Sequence, residues 1–169
     1  MSLINALPDL LVFVGVYFVL WKTVIHKMDG IDKAHYTLLY ISICVIIYFT
    51  LVPFIVSLPN IFSTHNFSYN FEPFIDWKYQ YGFYIQETIY NIILYIPLGF
   101  FFTIATKNKP IYGILLGLGL SLCVELIQPL LGEGRVGDIS DIITNTLGTI
   151  IGVYVGRYFI KNSSEADTN

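Results

Sequence analysis

Charge is what this chain has least of. Only 12% of its 169 residues are Asp, Glu, Lys or Arg, and 55% are apolar; a soluble domain of this length carries about a quarter charged residues. Cysteine is nearly absent: Cys44 and Cys123 both fall inside apolar runs, which argues against a disulfide framework or a paired-cysteine zinc site. No basic residue precedes Lys22 and no A-x-A-like site follows the first apolar run, so that run is read as a retained span and not a secretory signal. Sequence repeats are missing, as are Ser-His-Asp, H-E-x-x-H and P-loop motifs. The three histidines, His26, His35 and His65, lie in connections or near run ends, where solvated or capping roles are expected.

What is present is a set of apolar blocks near 8–26, 36–58, 86–106, 110–130 and 139–160. Each runs for roughly 20 residues, enough to cross a hydrocarbon core of about 30 Å. The expected fold class is therefore an all-α integral membrane protein, a bundle of about five transmembrane helices forming a single membrane domain over residues 1–161. The polar tail, 162–169, is expected to be disordered. With alternating connections, one side holds Lys22, Lys27, Lys33, Lys107, Lys109, Arg157 and Lys161, and the other only Lys78 and Arg135. The positive-inside rule then predicts an N-terminus outside and a C-terminus in the cytoplasm. Asp9, Glu72, Asp76, Glu87, Glu125, Glu133, Asp138 and Asp141 lie at or toward the predicted outer face.

Between spans two and three sits an aromatic stretch that includes Phe62, Phe67, Tyr69, Phe71, Phe74, Trp77, Tyr79, Tyr81, Phe83 and Tyr84. Rings with polar tips favour the headgroup zone. The segment is read either as an interfacial layer packed over the bundle or as a binding surface for sugars or an amphiphile, with Trp77 as its candidate contact.

Helical spacing gathers the remaining polar residues. At 100° per residue, Asp138, Asp141, Asn145, Gly148, Gly152 and Gly156 fall within about 80° on the fifth span. The three glycines form two overlapping G-x-x-x-G steps that admit a second helix backbone. On the fourth span Gly113, Gly117, Ser121, Glu125 and Gln128 share a face, small residues at one end and polar ones at the other. The third span adds Glu87, Asn91 and Tyr95, with Pro97 and Gly99 expected to interrupt its middle. By helical rise Glu125 and Asn145 lie roughly 8 Å below the hydrocarbon boundary. Ionisable groups at such depth face the bundle interior and mark a functional site by default.

Two readings of these residues stay open. In one, Asp138 is an N-cap with Asp141 at N3, Arg135 neutralises Glu125 or Asp138, and Asn145 and Gln128 join helices. In the other, Glu87, Asn91, Glu125, Gln128, Arg135, Asp138, Asp141 and Asn145 form a polar pocket that holds a ligand.

The order NIILYIPLGF (91–100), SLCVELIQ (121–128) and RVGDISDIITNTLGTIIG (135–152), preceded by NFEPF (70–74), resembles the VanZ-like family of bacterial membrane proteins over roughly residues 70–156. The combined pattern is E-x-x-Q followed by R-x-x-D-x-x-D-x-x-x-N-x-x-G. The resemblance implies a small helical protein of the bacterial cell membrane, common among Gram-positive bacteria. The family is typified by a member that lowers susceptibility to the lipid-bearing glycopeptide teicoplanin. The matched positions are Asn91, Pro97, Gly99, Glu125, Gln128, Arg135, Asp138, Asp141, Asn145 and Gly148.

Two functions are expected on these grounds. The first is an envelope protein whose pocket engages an amphiphilic glycopeptide or a lipid-linked cell-wall precursor, with membrane lipid as its other partner and no nucleic acid. The second is a membrane-embedded hydrolase or transferase acting on a lipid-linked phosphate or sugar. There Glu125, Asp138 and Asp141 are the catalytic candidates, and Mg²⁺ is the one cofactor to consider; otherwise no cofactor or metal is expected. An ion or proton pathway finds few ionisable groups in the inner halves of spans three to five.

Overall fold

In the computed structural model, which describes residues 3–60, 67–107, 109–131 and 134–166, the apolar runs become helices. In chain order the elements are α1 (Leu3–Thr23), α2 (Gly30–Leu51), α3 (Phe54–Ser57), β1 (Ser68–Asn70), α4 (Ile75–Tyr79), α5 (Tyr84–Ala105), α6 (Pro110–Ile127), β2 (Val136–Asp138) and α7 (Ile139–Ala166). Among the described residues, five segments are long and apolar enough to cross a membrane: Ile4–Lys27, Gly30–Ser57, Tyr84–Ala105, Pro110–Leu130 and Ile139–Ser163. Only 11% of the α1 window is buried, against 39% of the α7 window, so α7 is central and α1 peripheral. His65, Phe62 and Glu133, singled out above, lie outside the described residues.

Three local expectations are corrected. α5 runs unbroken through Pro97: a proline removes one amide from the ladder, a gap that the packing of neighbouring helices tolerates within an apolar span. The polar tail does not end the last helix at residue 161, since α7 continues to Ala166 and the Ser163 hydroxyl donates back to the Phe159 carbonyl at 3.0 Å. A short parallel ladder, unforeseen in the sequence, pairs β1 with β2 in the register Ser68↔Val136, Tyr69↔Gly137 and Asn70↔Asp138.

The glycine face of α7 does what its spacing predicts, and the helix it meets is α5. A Cβ on Gly148 would strike the Ile92 carbonyl, and one on Gly152 the Ile96 carbonyl. Gly156 lies against Phe100 and Thr103, and from the other side Gly99 faces the Thr149 carbonyl. The partners advance together, so α5 and α7 run parallel with backbones in contact. α6 completes the group, with Gly117 against the Thr149 side chain and Gly113 against Phe102 and Val153. Ile46, Leu51, Tyr95, Leu98 and Val124 form the apolar core beside this junction. Hydroxyls inside the helices bond to carbonyls one turn back, as Thr103 does to Gly99 (2.9 Å) and Thr149 to Asn145 (3.1 Å), which leaves them satisfied without water.

α1 is fastened at few points. Asp9, buried, accepts the amides of Phe54 and Ile55 at 3.1 Å each, and Tyr40 donates to the Phe13 carbonyl at 2.6 Å.

Overpacking a close helix contact costs about 1–3 kcal/mol. Gly152→Ala is therefore expected to lower thermal stability in detergent, whereas Gly119→Ala, where a Cβ meets nothing within 4 Å, leaves it unchanged. Thermal unfolding of the two purified variants checks this; equal melting temperatures would remove backbone contact as the basis of the bundle.

Candidate functional site

The polar residues meet where α2 ends and α7 begins, in two connected groups. The first is a clasp. Glu125, 3% exposed near the end of α6, accepts the Asp138 amide through Oε2 at 2.9 Å. Asp138 in turn accepts the Ser140 amide at Oδ1 (2.6 Å) and the Asn70 side-chain amide at Oδ2 (2.8 Å). Ser140 is the second residue of α7, so Asp138 caps the helix by the usual N2 bond. Asn70 Oδ1 accepts the Glu72 amide (3.1 Å), and the Phe74 amide donates to Ser140 Oγ (2.9 Å). A carboxylate from α6, one from β2 and an amide from β1 thus pin the aromatic segment to the helix ends. Gly137 is obligatory here: a Cβ would meet the Glu125 carbonyl and, at 2.8 Å, the Tyr69 ring.

The second group surrounds the end of α2. Pro53 stops that helix, leaving its last carbonyls without helical donors. Arg135 Nη1 donates to the Thr50 carbonyl at 2.9 Å, and Gln128 Nε2 reaches the same oxygen at 3.4 Å. The guanidinium therefore sits at the negative end of a helix dipole. The expected ion pair with Glu125 or Asp138 does not form; among the described residues the ion pairs are Lys78–Glu72 and Lys107–Asp32. Partial burial lowers the Arg135 guanidinium below its ordinary pKa, yet an arginine stays charged at neutral pH.

Asp141, the third residue of α7, faces Asn91 of α5, with the Asp138, Glu87 and Asp76 carboxylates as its charged neighbours. Asp141 and Arg135 line one cleft of 270 Å³ together with Phe49, Thr50, Gln128 and Val136. It adjoins a cleft of 610 Å³ between α2 and α5, lined by Phe49, Thr50, Tyr90, Asn91, Ile93, Leu94 and Gln128. Phe49 and Tyr90, 73% and 67% exposed, stand at its side opening. A third cleft, of 370 Å³, lies under Tyr69 and Phe71 and is floored by Leu122, Leu126, Ile139 and Ile142 beside Glu125 and Asp138. There the carboxylates are already engaged in the clasp.

Below the clasp Asn145, 2% exposed, donates through Nδ2 to Ser121 Oγ at 2.9 Å. Its Oδ1 and the buried Tyr95 hydroxyl make no hydrogen bond among the described residues.

The residues expected to form one pocket therefore divide. Glu125 and Asp138 hold the clasp, Asn91 and Gln128 line the α2–α5 cleft, Gln128, Arg135 and Asp141 line the smaller cleft beside it, Glu87 stands exposed and lines neither, and Asn145 lies beneath. Trp77 lines none of these three clefts. Its Nε1 donates to Thr88 Oγ1 (3.0 Å) and its ring packs edge-on against Tyr84 (5.2 Å), so it anchors α4 to α5. Three partners carry little signal in the sequence. Asn70 is marked only as part of the NFEPF stretch; Thr50 acts through its backbone, and Asp9 lies in another apolar run. Glu125, Asp138 and Asp141, the candidates of the enzyme alternative, are electrostatic neighbours; both Asp138 oxygens accept protein donors, and among the described residues no group of three His, Cys, Asp or Glu side chains is arranged to hold a metal ion.

A hydrogen bond to a charged acceptor contributes about 1.5–3 kcal/mol. Asn70→Ala is expected to lower stability by about that amount and to speed amide exchange at residues 136–138, while Trp77→Phe leaves that exchange unaltered. Hydrogen exchange read by mass spectrometry distinguishes them, and unchanged protection in Asn70→Ala would dissolve the clasp.

Comparison with known proteins places the chain among relatives. A curated relative, "Protein VanZ" of Enterococcus faecium, is 33% identical over 97 residues, which cover 56% of this chain. The chain spans about half (55%) of that relative's length. No solved structure matches. The VanZ/LLP1 family model matches residues 38–160, from α2 through the span of α7 and including every polar residue of the clasp and clefts. The chain belongs to the VanZ/LLP1 family.

Proposed function

We propose that this protein acts in the bacterial cell membrane to lower susceptibility to lipoglycopeptide antibiotics of the teicoplanin type, by binding an amphiphile at the α2–α5 clefts. Family membership and the VanZ relative support the link to resistance. The observation that carries the binding reading is the junction of the two clefts. An apolar channel walled by Phe49, Ile93 and Leu94 runs into a polar end that holds Arg135, Asp141 and Gln128. Ligand sites are typically concave, largely apolar and oriented by a few polar groups. An amphiphile, whether the drug, a lipid-linked cell-wall precursor or a membrane lipid, has the same division. Its apolar part enters sideways between α2 and α5 and its head meets the charged end.

The test separates the cleft from the clasp. In cells expressing the protein, Asp141→Asn is expected to abolish most of the protection against teicoplanin while membrane abundance and melting temperature hold. The exchange keeps the shape of the side chain, and Asp141 accepts no helix-capping bond that the change would break. Asp138→Asn is expected to lower stability and protection together. Protection that survives Asp141→Asn at wild-type abundance would overturn the cleft as the working site.

A further inference from the structure

The smaller cleft carries opposite charges that do not touch. Arg135 and Asp141 both line it, yet they are not within 4.0 Å of each other, since neither belongs to an ion pair among the described residues. A guanidinium offers five N–H donors, and the one hydrogen bond it makes here runs from Nη1 to the Thr50 carbonyl. The remaining donors have no acceptor among the described residues. Asp141 faces Asn91 and has the carboxylates of Asp138, Glu87, Asp76 and Glu125 as charged neighbours. Half-buried charges that are left without a partner carry a desolvation cost, which an occupant bearing both signs would offset. A plain anion would satisfy Arg135 but face Asp141 and its carboxylate neighbours, and a plain cation would face Arg135.

From this arrangement we infer that the cleft takes a phospholipid with a zwitterionic, amine-bearing headgroup: its phosphate on Arg135, its ammonium on Asp141, and an acyl chain along Phe49, Ile93 and Leu94 between α2 and α5. The inference rests on the reading of these clefts as an amphiphile site and names the headgroup chemistry. Arg135 serves the phosphate because its planar fork matches two oxygens at once. Gln128, which lines both clefts, stands where head and chain join. The groove between α1 and α2 is different: its 430 Å³ are lined by aliphatic and aromatic side chains with the hydroxyls of Tyr17, Thr37, Tyr40 and Tyr48 but no charged group, so it offers a lipid headgroup no ion-pairing partner.

The experiment is a native mass-spectrometry titration of the full chain in detergent with phosphatidylethanolamine, phosphatidylglycerol and diacylglycerol of identical acyl chains. Making or removing one charge-assisted hydrogen bond corresponds to about a tenfold change in Kd. Wild-type protein is expected to bind phosphatidylethanolamine about tenfold more tightly than phosphatidylglycerol, and diacylglycerol weakest of all. Asp141→Asn is expected to erase the preference between the two phospholipids while keeping both above diacylglycerol. Arg135→Gln brings both phospholipids down to diacylglycerol. Because Arg135 also holds the end of α2, the near-isosteric Asp141→Asn decides the matter if Arg135→Gln fails to fold. Equal binding of the two phospholipids by wild type, or a preference that persists in Asp141→Asn, overturns the assignment. If the preference is missing but teicoplanin protection still depends on Asp141, the headgroup assignment falls and the amphiphile reading stands. If the preference is present but protection ignores Asp141, the assignment stands and the link to resistance falls.

Discussion

The close approach of α7 to α5 is the constraint on which the rest of this structure depends. In a bilayer there is no hydrophobic gain from moving a leucine out of lipid and onto another helix, so association relies on backbone contact and hydrogen bonds. Gly148, Gly152 and Gly99 provide the first by leaving no room for a Cβ between the two backbones. That contact fixes height as well as distance. It sets Asn91 opposite Asp141, and with α6 docked through Gly117 and Thr149 it brings Ser121 to Asn145.

Once the helices are placed, the polar end follows from satisfying donors and acceptors near the edge of an apolar region. Each carboxylate of the clasp answers a specific backbone need: Glu125 the Asp138 amide, and Asp138 the first turn of α7. Arg135 and Gln128 answer the opposite need, a carbonyl left over where Pro53 ends α2. The two readings offered by the sequence are therefore divided between neighbouring residues. Asp138 is a cap and Glu125 a clasp, whereas Asp141 and the rest of the Arg135 fork line the cleft.

How far this is legible in the sequence depends on the range of each interaction. The five spans, the glycine face of α7 and the polar faces of α5 and α6 are written in local periodicity, and the helices obey it. Periodicity cannot say that the glycine face meets α5 in parallel and not only α6 across the short loop. The β1–β2 ladder is illegible because three residues per strand are too few to alternate, and its paired residues are 68 positions apart. Arg135 misleads for a related reason: charge counting pairs it with the nearest acids, while its acceptor is the Thr50 carbonyl, a group every residue possesses. Trp77 resembles a ligand contact because amphipathic rings serve binding and anchoring equally; its hydrogen bond to Thr88, an anchoring contact within the fold, leaves no mark in the sequence pattern.

The corner at residues 50–55 has a mechanical side. Arg135 and Gln128 grip it at Thr50, and four residues later Asp9 grips it at Phe54 and Ile55. α1, although it lies outside the family match and touches the bundle lightly, is thereby bolted to the same hinge pin as the wall of the cleft. A helix that looks like an outrigger is thus tied to the turn that ends α2, the helix that forms one wall of the cleft.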